Sequence, residues 1–269
     1  MTSWKIGLPM YYGLAARDHA HLLNCIVFEL RARGFREPIE PVARIDDLDS
    51  FWSRPDMLLG QTCGYPLVTR LANRVKLLGT PHYRFPWCDG HDYRSLLVVR
   101  ADSGLYKLQD LRGTVAAVNQ WHSHSGMNAF RLAIAPHASA GRHFRRVLES
   151  GSHRESLSLV RRRLVSVAAI DCITCGYLRL HEPRLLRGLR VLTETEAMPG
   201  LPLVAAQRVG DDLRALLLEV LTSVLSPMQG GSLAARLRLG GFTQTTMDDY
   251  ARIAEAEQRA AAQGYPVLA

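Results

Sequence analysis

The sequence predicts an α/β protein, and three observations carry that reading. Short apolar runs alternate with amphipathic helical stretches along the chain, the pattern of strands covered by helices, with largely parallel sheets expected. Several of those runs end in hydroxyl, amide, imidazole or carboxylate side chains just where a helix begins. At 269 residues, 47% hydrophobic and 22% charged, the chain also has enough material for one large or two ordinary cores.

The predicted strands are residues 5–8, 57–59, 75–78, 96–100, 114–118, 165–170, 189–193 and 203–206. A first helix is marked by Leu22, Leu23, Ile26, Val27 and Leu30. A second carries Leu213, Leu216, Leu217, Val220, Leu221, Val224 and Leu225 at helical spacing. Both stripes read as core faces.

The most informative junction follows the run at 114–118. Asn119-Gln120-Trp121-His122-Ser123-His124-Ser125-Gly126-Met127-Asn128 leads into a helical pattern containing Phe130, Leu132, Ala133 and Ile134. First-turn N–H groups lack acceptors within their own helix, so beside serine hydroxyls they suit an oxyanion. Ser123 or Ser125 acting only as a helix cap is the competing explanation. Three further junctions resemble it. Gly60-Gln61-Thr62-Cys63-Gly64-Tyr65-Pro66 follows the run at 57–59, with Pro66 suited to a first turn. Gly151-Ser152-His153-Arg154-Glu155 reads as a capping box, leaving His153 to project from the first turn. Asp171 ends the run at 165–170. In open α/β sheets ligands bind at the carboxyl edge, so four such junctions indicate a small-molecule cleft.

Other features restrict the function. Five cysteines in a chain of this size do not suggest a disulfide framework. Cys172-Ile173-Thr174-Cys175 has metal-ligand spacing without a second pair, so small residues packing at a helix start explain it better than zinc does. No metal and no cofactor are expected. The net charge of +8 lies partly in Arg142, Arg145, Arg146 and Arg161-Arg162-Arg163. No nucleic-acid-binding motif accompanies it, so a solvated helix end is expected rather than nucleic acid. The apolar runs are too short for a membrane span. Residues 1–10 have no secretory pattern, which predicts a cytoplasmic protein, or a periplasmic one if a leader has been removed.

Five blocks occur in order: Gln61-Thr62-Cys63-Gly64-Tyr65-Pro66, Tyr93-Arg94-Ser95-Leu96-Leu97-Val98-Val99, Ser123-His124-Ser125-Gly126-Met127-Asn128, Gly151-Ser152-His153 with Ser156-Leu157, and Ala168-Ala169-Ile170-Asp171. In these, from about Lys5 to about Ala206, the chain resembles the substrate-binding proteins of phosphate/phosphonate ABC transporters. The resemblance implies a type II periplasmic-binding-protein fold, with two α/β lobes, two crossing hinge strands and a ligand cleft. Lobe one would be 1–95 plus 196–269, and lobe two 96–195. It also implies a phosphonate or phosphate held on Ser123, Ser125 and the Gly126 backbone, with His153 beside them. Asp171 would face an amino group of the ligand. The ligand-contact set expected on this basis is Tyr11, Gln61, Thr62, Tyr93, Ser123, His124, Ser125, Gly126, Asn128, His153 and Asp171. Tyr11, Tyr12 and Tyr93 would wall an organic substituent, although Tyr93 equally suits hinge packing.

The function expected is non-catalytic binding of a small oxyanion or phosphonate-like ligand. An ABC permease or a signalling partner would serve transport, delivery or cytoplasmic sensing. A cytoplasmic enzyme on the same fold, acting on a small organic acid or phosphate ester, is the alternative; His153 and Asp171 would then do acid–base work. A Ser125–His153–Asp171 triad fits by residue type but lacks a Gly-x-Ser-x-Gly elbow. The effector-binding module of a regulator is a third reading, disfavoured because no DNA-binding segment precedes Lys5.

Overall fold

The computed structural model describes residues 3–269; the side chain of Tyr12 also lies outside the described residues. Thirteen strands run in order among them: β1 (Trp4–Ile6), β2 (Ile39–Pro41), β3 (Met57–Gln61), β4 (Val75–Tyr83), β5 (Asp92–Tyr93), β6 (Ser95–Arg100), β7 (Val115–Val118), β8 (Arg146–Glu149), β9 (Val167–Asp171), β10 (Leu189–Glu194), β11 (Met198–Pro199), β12 (Leu203–Ala206) and β13 (Leu239–Thr243). All eight predicted runs form strands, seven with shifted ends and β12 with the predicted ones.

The chain divides into two compact units, one of Met1–Asp92 with Pro199–Tyr250 and one of Tyr93–Met198 with Ala251–Ala269. The sequence-based lobes grouped all of 196–269 together, whereas Ala251–Ala269 lies in the second unit.

Unit one is built on a six-stranded sheet in the order β13-β4-β12-β3-β1-β2. β1 pairs in parallel with β2 and β3, while β12 runs antiparallel to β3 and β4 and β13 antiparallel to β4. The two helices read from apolar spacing are Ala16–Ala32 and Asp211–Val224. Their buried stripes, Leu22, Leu23, Ile26 and Leu30 and Leu217, Val220 and Leu221, join Ile6, Leu58, Leu59, Leu78 and Leu203 in one core. Removing such side chains from water is the main favourable contribution to the unit, roughly 1.5–3 kcal/mol for each large residue.

Unit two has a five-stranded sheet in the order β10-β6-β9-β7-β8. β7 is parallel to both β8 and β9, and β6 is antiparallel to β9 and β10. The expectation of largely parallel sheets therefore needs correction, since both sheets are mixed. β6 and β12, which run against their sheet neighbours, are the first sheet strands after the chain passes at 92/93 and 198/199. Apolar periodicity records that a strand is buried but not which way it runs.

In β7 and β9 the residues Ala116, Ala117, Ala168 and Ala169 are fully buried. Their small side chains suit a strand covered closely on both faces. Because β9, β7 and β8 are adjacent and parallel, their carboxyl ends lie on one edge. The segments leaving that edge begin helical residues 124–134, the helix His153–Arg161 and the helix Cys172–His181.

The C-terminal segment is tied into unit two by buried polar side chains. Asn128 Nδ2 donates to the Ile253 carbonyl at 2.9 Å and Arg131 Nη1 to the Pro266 carbonyl at 2.7 Å. The amides of His143 and Phe144 donate to the Ala269 carbonyl at 2.7 and 3.0 Å.

Candidate functional site

After β7, the Ser123 backbone is extended and its Oγ accepts from the Gly126 amide at 3.1 Å, a side-chain cap. Residues 124–128 form a wide turn, with the Asn128 amide reaching the Ser123 carbonyl at 3.1 Å, and the helix continues to Ile134. The amides of Ser125, Gly126 and Met127 belong to this first turn, where partial positive charge gathers. Glycine at 126 admits the Asn119 side chain, which a Cβ there would meet at less than 3 Å and displace.

After β8, Gly151 adopts a left-handed φ of +85° and its amide donates to the Asn119 carbonyl at 2.8 Å. That turn allows Ser152 to cap the next helix through the Glu155 amide at 3.1 Å, which leaves His153 as the first helical residue. The imidazole then meets the turn after β7 and the backbone of β9. Its Nδ1 lies 3.1 Å from the Ala169 carbonyl oxygen and its Nε2 3.0 Å from Ser125 Oγ.

Asp171, the last residue of β9, caps the third helix. Its Oδ1 accepts from the Thr174 amide at 2.7 Å, and its Oδ2 accepts a short bond from the Thr174 hydroxyl. The same Oδ2 is 3.4 Å from His153 Nε2. Asp171 is 3% exposed, so its carboxylate is spent on the helix start and the histidine rather than open to a ligand amine.

Burial pushes the His153 pKa down, opposed by the Asp171 charge and the Ala169 carbonyl. His124 is also buried, and loss of hydration lowers its pKa to about 3, so this ring is neutral. Its Nδ1 lies 3.3 Å from Asn128 Nδ2. Asn128 Oδ1 accepts from Arg131 Nη2 at 2.6 Å. Of these two expected ligand contacts, Asn128 therefore bonds His124, Arg131 and the C-terminal segment, and His124 presents Nδ1 to Asn128. The Tyr93 ring is buried 6.4 Å from that of His124.

Serine, histidine and aspartate thus meet, but not as a hydrolytic relay. In such a relay the carboxylate holds the ring nitrogen opposite the serine. Here Ser125 and Asp171 share Nε2, and Nδ1 faces a carbonyl. The donors the set offers an oxyanion are the Ser125 hydroxyl and the first-turn amides.

In unit one, the Tyr11 ring meets Tyr83 edge-on at 5.3 Å. Gln61 and Thr62 are buried. Gln61 Nε2 donates to the Leu201 carbonyl at 3.4 Å, and the Thr62 amide to that of Pro202 at 3.0 Å. Unforeseen beside them is a buried hydroxyl cluster. Tyr250 donates to the Gly200 carbonyl at 2.8 Å and lies 2.7 Å from Thr80 Oγ1, which is 2.8 Å from Thr245 Oγ1. Residues scattered over 170 positions carry no sequence pattern for it.

Cys172 and Cys175 are buried near the start of the helix capped by Asp171, and burial raises the Cys175 thiol. Among the described residues no group of histidine, cysteine, aspartate or glutamate is arranged to hold a metal ion. Of the arginine run, Arg161 ends a helix, and Arg163, at φ +63°, donates to Asp102 at 2.8 Å. No helix among the described residues is long and apolar enough to cross a membrane.

A family model described as "ABC transporter, phosphonate, periplasmic substrate-binding protein" matches residues 55–250, nearly three quarters of the chain, including every unit-two site residue. The chain belongs to this family. The substrate-binding protein is similar in fold to a binding protein component of an ABC phosphonate transporter from Pseudomonas aeruginosa. That pair shares 16% identity at a TM-score of 0.77, over 98% of this chain and 88% of the other. A second structure, PhnD1 from Prochlorococcus marinus in complex with methylphosphonate, shows 15% identity and a TM-score of 0.76 over 96% and 98% of the two chains. A third, a Xanthomonas citri protein bound to ATP, shows 19% identity and a TM-score of 0.71 over 98% of both. These likenesses establish the type II periplasmic-binding-protein fold. No curated protein matches the sequence.

Proposed function

We propose that this substrate-binding protein holds a small phosphonate or related tetrahedral oxyanion, without transforming it, on the helix start at residues 123–127. The observation that carries the reading is the 3.0 Å contact between Ser125 Oγ and His153 Nε2 beside first-turn amides. The Ser125 hydroxyl and first-turn amides converge there at the carboxyl edge of three parallel strands, with the His153 ring behind the serine, and such donors are strongest towards a charged acceptor. The neighbour that carries methylphosphonate supports the ligand class.

Asp171 acts in this reading through His153 rather than on the ligand. Tyr11, Gln61, Thr62 and Tyr93 stay proposed contacts on the resemblance alone. The family's description is periplasmic, in contrast to the cytoplasmic compartment expected from residues 1–10. We therefore favour delivery to an ABC permease over cytoplasmic sensing.

The test is thermal unfolding against phosphate, phosphite, sulfate, alkyl- and aminoalkylphosphonates, taurine and aromatic carboxylates. A true ligand raises the midpoint saturably, by about 2.7 kcal/mol of stability at a hundredfold excess over Kd. No shift with any oxyanion, together with conversion of an organic acid, would sink the proposal in favour of an enzyme.

A further inference from the structure

His153 is engaged at both ring nitrogens, and the two engagements differ in kind. Nδ1 faces the Ala169 carbonyl at 3.1 Å, and a carbonyl only accepts, so Nδ1 keeps its hydrogen whether the ring is neutral or charged. The proton that comes and goes is therefore on Nε2. That nitrogen meets Ser125 Oγ at 3.0 Å and Asp171 Oδ2 at 3.4 Å.

The two protonation states give Ser125 opposite roles. With Nε2 bare, the Ser125 hydroxyl donates its hydrogen to the ring, and the nitrogen lone pair faces a carboxylate. With Nε2 protonated, the ring donates towards Ser125 Oγ and Asp171. The serine hydrogen is then released to turn to an acceptor at the helix start.

Resting on the oxyanion-binding reading above, we propose that His153 takes up one proton from solvent as the anion binds. That proton would convert Ser125 from a donor to the ring into a donor to the ligand. Asp171 is the positioning residue that makes the uptake favourable, because it supplies the charge that the second ring proton meets.

The groups around His153 leave this role to Asp171. On the helix that Asp171 caps, the Cys175 thiol is raised by burial and stays protonated at neutral pH. Across the site, His124 is kept neutral by burial. On its own helix, Arg154 pairs with Glu182 at 2.6 Å, and the neighbouring Glu155 supplies the amide that Ser152 caps. Beside β6, Arg94 donates to the Thr195 carbonyl at 2.7 Å. Burial also pushes His153 itself down, so the empty site has a proton to gain.

The experiment is calorimetric titration of methylphosphonate across mildly acid to mildly alkaline pH, in buffers of different ionisation enthalpy, with wild type, H153Q and D171N. Ionisation of methylphosphonate itself contributes equally to all three and cancels in the differences. Wild type should take up close to one more proton per ligand than H153Q. Its affinity should fall up to tenfold more per pH unit above the His153 titration. D171N, checked for folding by circular dichroism, should lose most of that excess. Nitrogen-15 spectra of histidine-labelled protein should show Nε2 of His153 passing from bare to protonated on saturation. Equal proton uptake in wild type and H153Q, or an Nε2 signal unchanged by saturating ligand, overturns the proposal while leaving anion binding standing. Full uptake retained in a folded D171N overturns the role given to Asp171. No saturable heat with methylphosphonate, phosphate or sulfate at any pH overturns the binding reading and this proposal with it.

Discussion

Ser125 Oγ and Asp171 Oδ2 approach the same imidazole nitrogen, Nε2 of His153, at 3.0 and 3.4 Å. The three residues come from the ends of three adjacent strands, β7, β8 and β9. Their meeting follows from those strands being parallel and in register, with Val118 opposite Glu149 and Ala117 opposite Ala168.

On the proposed reading, replacing Ser125 with alanine removes one hydrogen bond to a charged ligand, while the Ser123 cap stays in place. Methylphosphonate affinity should fall by about 1.5–3 kcal/mol, roughly ten- to a hundredfold, with the unfolding midpoint of the empty protein nearly unchanged. Titration calorimetry and thermal unfolding read the two effects separately. Loss of folding would mean that the hydroxyl serves the helix rather than the ligand.

Gly126→Ala should be costly because its Cβ would strike the Asn119 side chain, with Asn119 Cγ only 2.8 Å away. Asn119 Oδ1 is buried without a hydrogen-bond partner, so packing alone holds it there. The alanine should destabilise unit two by about 1–3 kcal/mol. Asn119→Ala in the same chain should restore part of the loss, measured by denaturant unfolding. An unchanged midpoint in the single variant would contradict the close approach.

Acid should weaken the fold through His124. An unfolded imidazole takes a proton near pH 6.5, whereas the buried one does so only near 3. Between those values unfolding takes up a proton, so this ring's stabilising contribution is complete above 6.5 and is lost as pH falls, by up to about 1.4 kcal/mol per pH unit. His19, His82, His143 and His153 are shifted in the same direction, chiefly by burial. H124N should therefore flatten the pH dependence of the denaturant midpoint without abolishing it. An identical slope in the variant would refute the assignment.

Thiol titration should separate the five cysteines. Cys63, Cys172 and Cys175 are buried, while Cys25 and Cys88 are half-exposed. An aromatic disulfide reagent should modify Cys25 and Cys88 first and reach the other three only on unfolding. Fast modification of Cys175 in the folded protein would contradict its raised pKa.

Leu221 is fully buried within the core of unit one. Leu221→Ala should cost about 2–5 kcal/mol, read as an earlier denaturant transition. A loss below roughly 1 kcal/mol would mean that the core relaxes around the gap.

The sequence by itself determined the local pieces. Eight strands, the apolar stripes of the helices Ala16–Ala32 and Asp211–Val224, the Ser152 cap and a second cap at Ser123 or Ser125 were legible, because apolar spacing and capping chemistry act within a few residues. The strands it missed include β2, β8 and β13, which lie at sheet edges and are mostly exposed or half-buried. Strands covered so incompletely need few apolar residues, so their signal is weak; β10, also at an edge, was legible only because Leu189, Val191 and Leu192 form an apolar run.

Strand direction was equally invisible, since a buried run looks alike whichever way it pairs. Only the tertiary structure drew Ala251–Ala269 into unit two, through Asn128 and Arg131 bonding to carbonyls 125 and 135 residues away. It likewise tied Asn128 to the C-terminal segment and set Asp171 Oδ2 beside His153 Nε2. Residue types predicted which groups have the chemistry to hold an anion; which of them are already bonded elsewhere depends on hydrogen bonds between distant segments, and those exist only once the sheet has formed.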